Sequence, residues 1–225
     1  MTLKLAIFDI DGTIVDSRKV IQGAMETAFA AAGLAKPDYD QTRRIVGLGL
    51  HDAMDVLAPH ADADQREALV EGYKNAFIAN RADPNFKEPL YEGAVDLLRD
   101  LSAQGWLMGV ATGKSRRGLD VILDAHDLRK FFDTSWCADD GPGKPNPFMV
   151  QANMDALGVE AVQSVMIGDA TFDMQMARAA NVRALGVSWG FGEAHEIEAA
   201  GAHEVHHEFS TLAASLETFA RERAA

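Results

Sequence analysis

Apolar and polar positions follow three rhythms along the 225 residues of this chain. The first is a short, continuous apolar run near the start, LAIF at residues 5–8, which gives way to Asp9 and Asp11; its length and abrupt polar end predict a buried strand. The second rhythm is helical. Val20, Ile21, Met25, Ala28, Phe29 and Ala32 recur at three- and four-residue spacing and predict a helix over 18–33, with Gly33 as its stop. Helical spacing continues over about 39–46, breaks at Gly47-Leu48-Gly49, resumes over 51–58 through Ala53, Met54 and Leu57, and ends before Pro59. Asp62 and Gln65 then form a capping-box pair ahead of a longer helix whose apolar stripe is Leu69, Val70, Tyr73, Phe77 and Ile78.

The third rhythm is alternation. From Asp83 the composition shifts, and Pro84 and Pro89 bracket a polar stretch that suits a linker. Beyond it come a helix over 92–104 closed by Gly105, a strand over 106–111, a helix over 115–125 and a helix over 147–157 closed by Gly158. A strand VMIGD ending in Asp169, a helix over 172–180, strands over 183–187 and near 203–206, and a final helix from about 210 complete the series. Strands joined by crossover helices predict a parallel sheet with both faces covered. The expected fold class is α/β, with residues 1–16 and 83–225 as the core and residues 17–82 as an inserted all-helical cap.

Charge narrows the partners. Acidic residues outnumber basic ones for a net charge of −13, and no long basic run could track a phosphate backbone, which argues against nucleic acid. Cys137 stands alone, so no intramolecular disulfide can form, and no Cys/His cluster shows zinc spacing. His203, His206 and His207 read as exposed residues at a strand end. The start lacks a leader pattern, and no run of about 18 apolar residues appears, so a cytoplasmic protein without membrane contact is expected.

Four polar constellations fall at strand ends, where ligands of open α/β sheets bind. Asp9 and Asp11, two apart in extended chain, can face one crevice, and their repulsion calls for a proton or a cation, for which magnesium is the natural choice. Thr112-Gly113-Lys114 follows a strand and opens a helix, a combination of hydroxyl, close backbone approach and helix N-terminus that suits an anion. Lys144 lies between Gly143 and Pro145, where restricted backbone can hold a fixed positive charge. Asp169 closes a strand and Asp173 falls in the first turn of the next helix.

In this order, Asp9-x-Asp11-Gly12-Thr13, Thr112, Lys144-Pro145 and Gly168-Asp169-x-x-x-Asp173, the chain resembles the haloacid dehalogenase-like superfamily of phosphohydrolases over nearly its whole length. The resemblance implies a Rossmann-like three-layer core with a helical cap. It also implies a magnesium-dependent phosphatase acting on a small phosphorylated metabolite, with monomer and homodimer both open. Asp9 would be the nucleophile and Asp11 the general acid and base. Asp9, the Asp11 carbonyl and Asp169 would hold Mg²⁺, with Asp173 beside them. Thr112 and Lys144 would bind the phosphoryl oxygens, within a cradle of Gly12, Thr13, Gly113 and Lys114. Dehalogenases of this fold usually lack a second acid where Asp11 stands. Phosphonatases use a cap lysine, a part Lys19 could fill, but carry a different first motif. A mutase of the β-phosphoglucomutase type, which more often has Val at the place of Thr13, and a non-catalytic binding protein are the alternatives. Close resemblance to phosphoglycolate phosphatases, including the stretch ATGK, points to a carboxylate on the substrate, with Arg44, beside Arg43 and Gly47-Leu48-Gly49, as its reader.

Overall fold

All four side chains of strand β1 (Leu5–Phe8) are buried, Leu5 and Ile7 toward one face of the sheet, Ala6 and Phe8 toward the other. A strand apolar on both faces belongs in the middle of a parallel sheet. The structure, a computed structural model describing residues 3–82, 86 and 88–224, places it there. Its neighbours are β2 (Leu107–Thr112) and β4 (Ser164–Gly168); outside them lie β3 (Thr134–Cys137), β5 (Arg183–Val187) and β6 (Glu204–His206), giving the order β3-β2-β1-β4-β5-β6 with every pairing parallel.

Crossover helices cover both faces. Leu98 of α5 (Ala94–Ala103), Leu119 of α6 (Arg116–Ala125) and Leu216 of α10 (Phe209–Ala224) pack on the side of Phe8. Val150 of α7 (Phe148–Leu157), Met174 of α8 (Thr171–Ala179) and Ile197 of α9 (Ala194–Ala199) pack on the side of Ile7. The three-layer α/β arrangement expected from the alternation is present.

Strand β3 is not legible in the sequence. Its residues, TSWC, are half polar, only Cys137 is fully buried, and an edge strand of four residues shows no clear alternation.

Four helices, α1 (Arg18–Ala31), α2 (Tyr39–Arg43), α3 (Leu50–Leu57) and α4 (Ala63–Ala82), intervene between β1 and the rest of the core. They bury an apolar cluster of their own, with Met25, Phe29, Met54, Leu69 and Val70 at its centre, and we call them the cap. The expected capping box starts α4: the Gln65 amide donates to Asp62 at 2.8 Å and the Asp62 amide donates to the Gln65 side chain at 3.0 Å. Ile78, the last residue of the apolar stripe of α4, is 46% exposed. Phe191, from the loop after β5, enters the cap cluster and ties the two units together. Val15 and Leu90 form an isolated antiparallel bridge, so the chain leaves the core and returns to it side by side. Asp83 and Pro84, where the linker was expected to begin, lie outside the described residues. Among the described residues no helix is long and apolar enough to cross a membrane.

Candidate active site

Because β1 pairs with both β2 and β4, the residues just past those three strands converge at one edge of the sheet. Asp9 follows β1 directly, and its amide donates to the Ile167 carbonyl of β4 at 2.9 Å, which fixes the first residue of the loop. Gly12 then turns at φ +82, and a Cβ there would lie 2.1 Å from Asp169 Oδ2, so only glycine allows this approach. Thr13 Oγ1 donates to Asp169 Oδ1 at 3.0 Å, and the Phe191 amide donates to Asp169 Oδ2 at 2.7 Å. The Ala170 amide donates to Asp173 Oδ2 at 3.0 Å in the first turn of α8. Both acids of the last motif are thus aimed by backbone and hydroxyl donors.

Lys144 joins them. Its fully buried ammonium lies 2.8 Å from Asp9 Oδ1 and 2.6 Å from Asp173 Oδ1. Oxygens of Asp9, Asp169 and Asp173 all come within 4.8 Å of one another. Three buried carboxylates facing one ammonium leave excess negative charge, and the environment of the acids reflects it. Burial pushes the Asp9 carboxyl up to about 7; Lys144 opposes this, while Asp173 and Asp11 add to it. Burial, followed by the charges of Asp9 and Asp173, raises Asp169 well above the usual carboxylate range. For Lys144 burial alone would lower the pKa, but Asp173 and Asp9 outweigh it and the ammonium is held charged. All-oxygen donors with surplus negative charge fit a hard divalent cation.

Thr112, fully buried at the end of β2, accepts from the Lys114 amide at 3.3 Å. Lys114 points its ammonium at Asp11 Oδ1, 2.9 Å away, and at Glu88 Oε1, 3.6 Å away. A Cβ on Gly113 would meet the Gly47 carbonyl at 2.8 Å and the Leu48 carbonyl at 3.0 Å, so the glycine loop of the cap sits directly on this turn. Between core and cap lies a cavity of about 720 Å³, with Asp9, Asp11 and Thr112 on its floor and Leu48, Tyr73 and Phe77 on its cap side.

The structure therefore brings Asp9, Asp11, Gly12, Thr13, Thr112, Gly113, Lys114, Lys144, Asp169 and Asp173 to one place, but not Arg44. That side chain is 60% exposed, pairs with Asp40 across one helical turn and does not line the cavity. Its neighbour Arg43 is buried and, besides donating to Asp40 at 2.8 Å, reaches the core, donating to Glu196 of α9 at 2.6 Å and 3.1 Å. Arg117 does line the cavity and forms no ion pair among the described residues. His206, expected to be exposed, is only 7% exposed, and among the described residues no histidine joins a group able to hold a metal. The loop after β5 also belongs to the site, although no motif in the sequence marks it. Within it, Trp189 Nε1 donates to the Thr13 carbonyl at 3.1 Å and Phe191 grips Asp169. The one signal it carries is a pair of aromatics among Gly190 and Gly192, directly after a strand.

The Arg43–Glu196 pair fastens cap to core. The guanidinium hydrogen bond holds the Glu196 carboxyl down at about 2, so its contribution is present above the ordinary carboxylate range and is lost as pH falls toward 2. Glu196→Gln is expected to lower stability at pH 7 by about 1–2 kcal/mol, with the difference shrinking in acid, as read by urea unfolding at both pH values.

Comparison with known proteins agrees with this geometry. The family described as haloacid dehalogenase-like hydrolase matches residues 6–187. A phosphoglycolate phosphatase of Caulobacter vibrioides is 34% identical over 90% of this chain and 86% of its own length. One of Rhodospirillum rubrum is 31% identical over 93% and 89%. A hydrolase of Pseudomonas syringae, solved by crystallography, superposes with a TM-score of 0.85 at 26% identity, over 96% of this chain and 98% of that one.

Proposed function

We propose that this chain, which belongs to the haloacid dehalogenase-like hydrolase family and is a phosphatase, cleaves phosphate monoesters of small metabolites through an aspartyl-phosphate on Asp9. The observation that carries this reading is the meeting of Asp9, Asp169 and Asp173 around buried Lys144 at the end of the central strand.

In the first half-reaction an Asp9 carboxylate oxygen bonds to phosphorus, the bond from phosphorus to the ester oxygen breaks, and Asp11 gives that oxygen its proton. In the second, Asp11 takes a proton from water, the water oxygen bonds to phosphorus, and the Asp9–phosphorus bond breaks to free inorganic phosphate. Lys144 and Thr112 hold phosphoryl oxygens. The Asp9 and Asp169 carboxylates and the Asp11 carbonyl would hold Mg²⁺, with Asp173 beside them; when bound, the ion neutralises charge on the transferring group.

Likeness to phosphoglycolate phosphatases favours a carboxylate-bearing substrate such as phosphoglycolate, and Arg117, which lines the cavity and forms no ion pair among the described residues, is available to meet one. The cavity also has room for a sugar phosphate. A panel of phosphoglycolate, sugar phosphates and a sugar bisphosphate, with and without magnesium, tests the reading. Metal-dependent release of phosphate supports it; isomerisation of the bisphosphate without net hydrolysis, or no turnover of any ester, contradicts it.

A pH dependence follows from Asp9. Its carboxyl ionises near 7 in the fold, against an ordinary value of 3.8, so between those values the folded state binds a proton that the unfolded state does not. Stability of the metal-free protein should therefore fall as pH rises from about 4 to about 7. Magnesium should restore it at the upper end. Thermal unfolding with chelator, then with added Mg²⁺, reads both effects.

A further inference from the structure

Lys114 stands where the chain's own carboxylates, rather than a substrate, claim its charge. Its side chain is 7% exposed and its ammonium lies 2.9 Å from Asp11 Oδ1 and 3.6 Å from Glu88 Oε1. Glu88, 3% exposed in its side chain, sits on the segment returning from cap to core and also meets Arg81 at 3.6 Å, in the last turn of α4. The Phe77 ring of α4 approaches both cations, 5.8 Å from Lys114 Nζ and 5.6 Å from the Arg81 guanidinium. The result is a row, Arg81, Glu88, Lys114, Asp11, running from partly exposed Arg81 to buried Glu88 and Lys114, in which charges alternate and each neighbour fixes the next.

We propose that Lys114 is a positioning residue for Asp11 and that Glu88 holds it in that role, with Phe77 and Arg81 tying the row to the seated cap. An ammonium shared by two carboxylates, though it borders the cavity, has little charge to offer a phosphoryl group, for which Lys144 and Thr112 are the assigned partners. Its ion pair instead sets where the Asp11 carboxylate points, and a general acid or base works only within hydrogen-bond reach of its proton. The inference rests on the phosphatase reading above and adds to it a residue that acts through Asp11.

The test is Lys114→Met, with Lys114→Arg and Glu88→Gln, assayed on an alkyl phosphate and on p-nitrophenyl phosphate, with inorganic phosphate as inhibitor. Expected for Lys114→Met is a fall in kcat on the alkyl ester of about 100-fold, the scale on which a positioned proton carrier works. The inhibition constant for phosphate should stay within about threefold. With p-nitrophenyl phosphate, whose leaving group needs no proton, a burst of nitrophenolate should appear, because Asp9 is still phosphorylated while water is activated slowly. Lys114→Arg should recover part of kcat, and Glu88→Gln should move the same parameters by less. Should Lys114→Met fail to fold, Glu88→Gln and Lys114→Arg read the same split. A phosphate inhibition constant raised about tenfold or more without a burst would overturn the proposal, since it means that Lys114 grips the phosphoryl group; so would a parental kcat. An unsubstituted chain that releases no phosphate contradicts the phosphatase reading instead.

Discussion

Asp9→Asn is expected to abolish phosphate release, by at least about 10⁴-fold, while leaving the fold intact or slightly more stable. An amide oxygen is a far weaker nucleophile than a carboxylate, and no neighbour can take its place. Asp169 is held by Thr13 and Phe191, and Asp173 by the Ala170 amide and Lys144, so neither is free to swing into line. The stability sign follows from the same crowding. Asp9 is 2% exposed with its carboxyl pushed up to about 7, so at pH 7.5 its charge opposes folding. An amide there relieves repulsion with Asp173 and Asp11, and Lys144 keeps Asp173 at 2.6 Å. Kinetics and thermal unfolding on one preparation separate lost chemistry from lost structure. Activity within tenfold of the parent would remove Asp9 from its assigned role.

Lys144→Met should harm both activity and stability. Without the ammonium, three carboxylates remain within 4.8 Å of one another and buried. Removing one partner of a buried ion pair costs about 3–5 kcal/mol, because the charge left behind loses its compensation. Asp9 and Asp169, whose carboxyls burial already pushes up, can escape part of that cost by taking up protons, so the destabilisation should be large at pH 7.5 and smaller at pH 5. Urea unfolding at the two pH values measures the difference, and equal losses at both would show that charge is not the cause. Phosphate release should fall about 10³-fold at either pH, since the proposed reading has Lys144 as the fixed cation on the phosphoryl oxygens.

Much of this site is legible in the sequence, and the reason is local. Strand ends are marked by the abrupt change from apolar to polar residues, and parallel α/β sheets gather their ligands at such ends, so Asp9, Thr112 and Asp169 need only strand assignments to be placed together. Gly12 and Lys144-Pro145 announce unusual backbone, and both sit against the acids. What escapes a sequence pattern depends on side-chain direction in short or irregular segments. Arg43 and Arg44 are adjacent at the end of one short helix and both meet Asp40, yet only Arg43 reaches on to Glu196 in the core. Five residues of helix do not decide which. Lys114 belongs to the site by its place after β2, but its partner Glu88 lies on a returning linker whose path no periodicity encodes. β3 and the aromatic loop after β5 carry no clear pattern because an edge strand and a loop owe their form to the surfaces they cover.

If a phosphoryl group passes through Asp9, the aspartyl-phosphate can be trapped there. Enzyme turning over substrate with magnesium is quenched with borohydride, which reduces an aspartyl-phosphate to homoserine, and the peptides spanning residues 5–16 and 164–178 are sequenced by mass spectrometry. The account predicts homoserine at position 9, dependent on substrate and absent in Asp9→Asn. Full turnover with Asp9 unreduced, or reduction at Asp11, Asp169 or Asp173 instead, would contradict it.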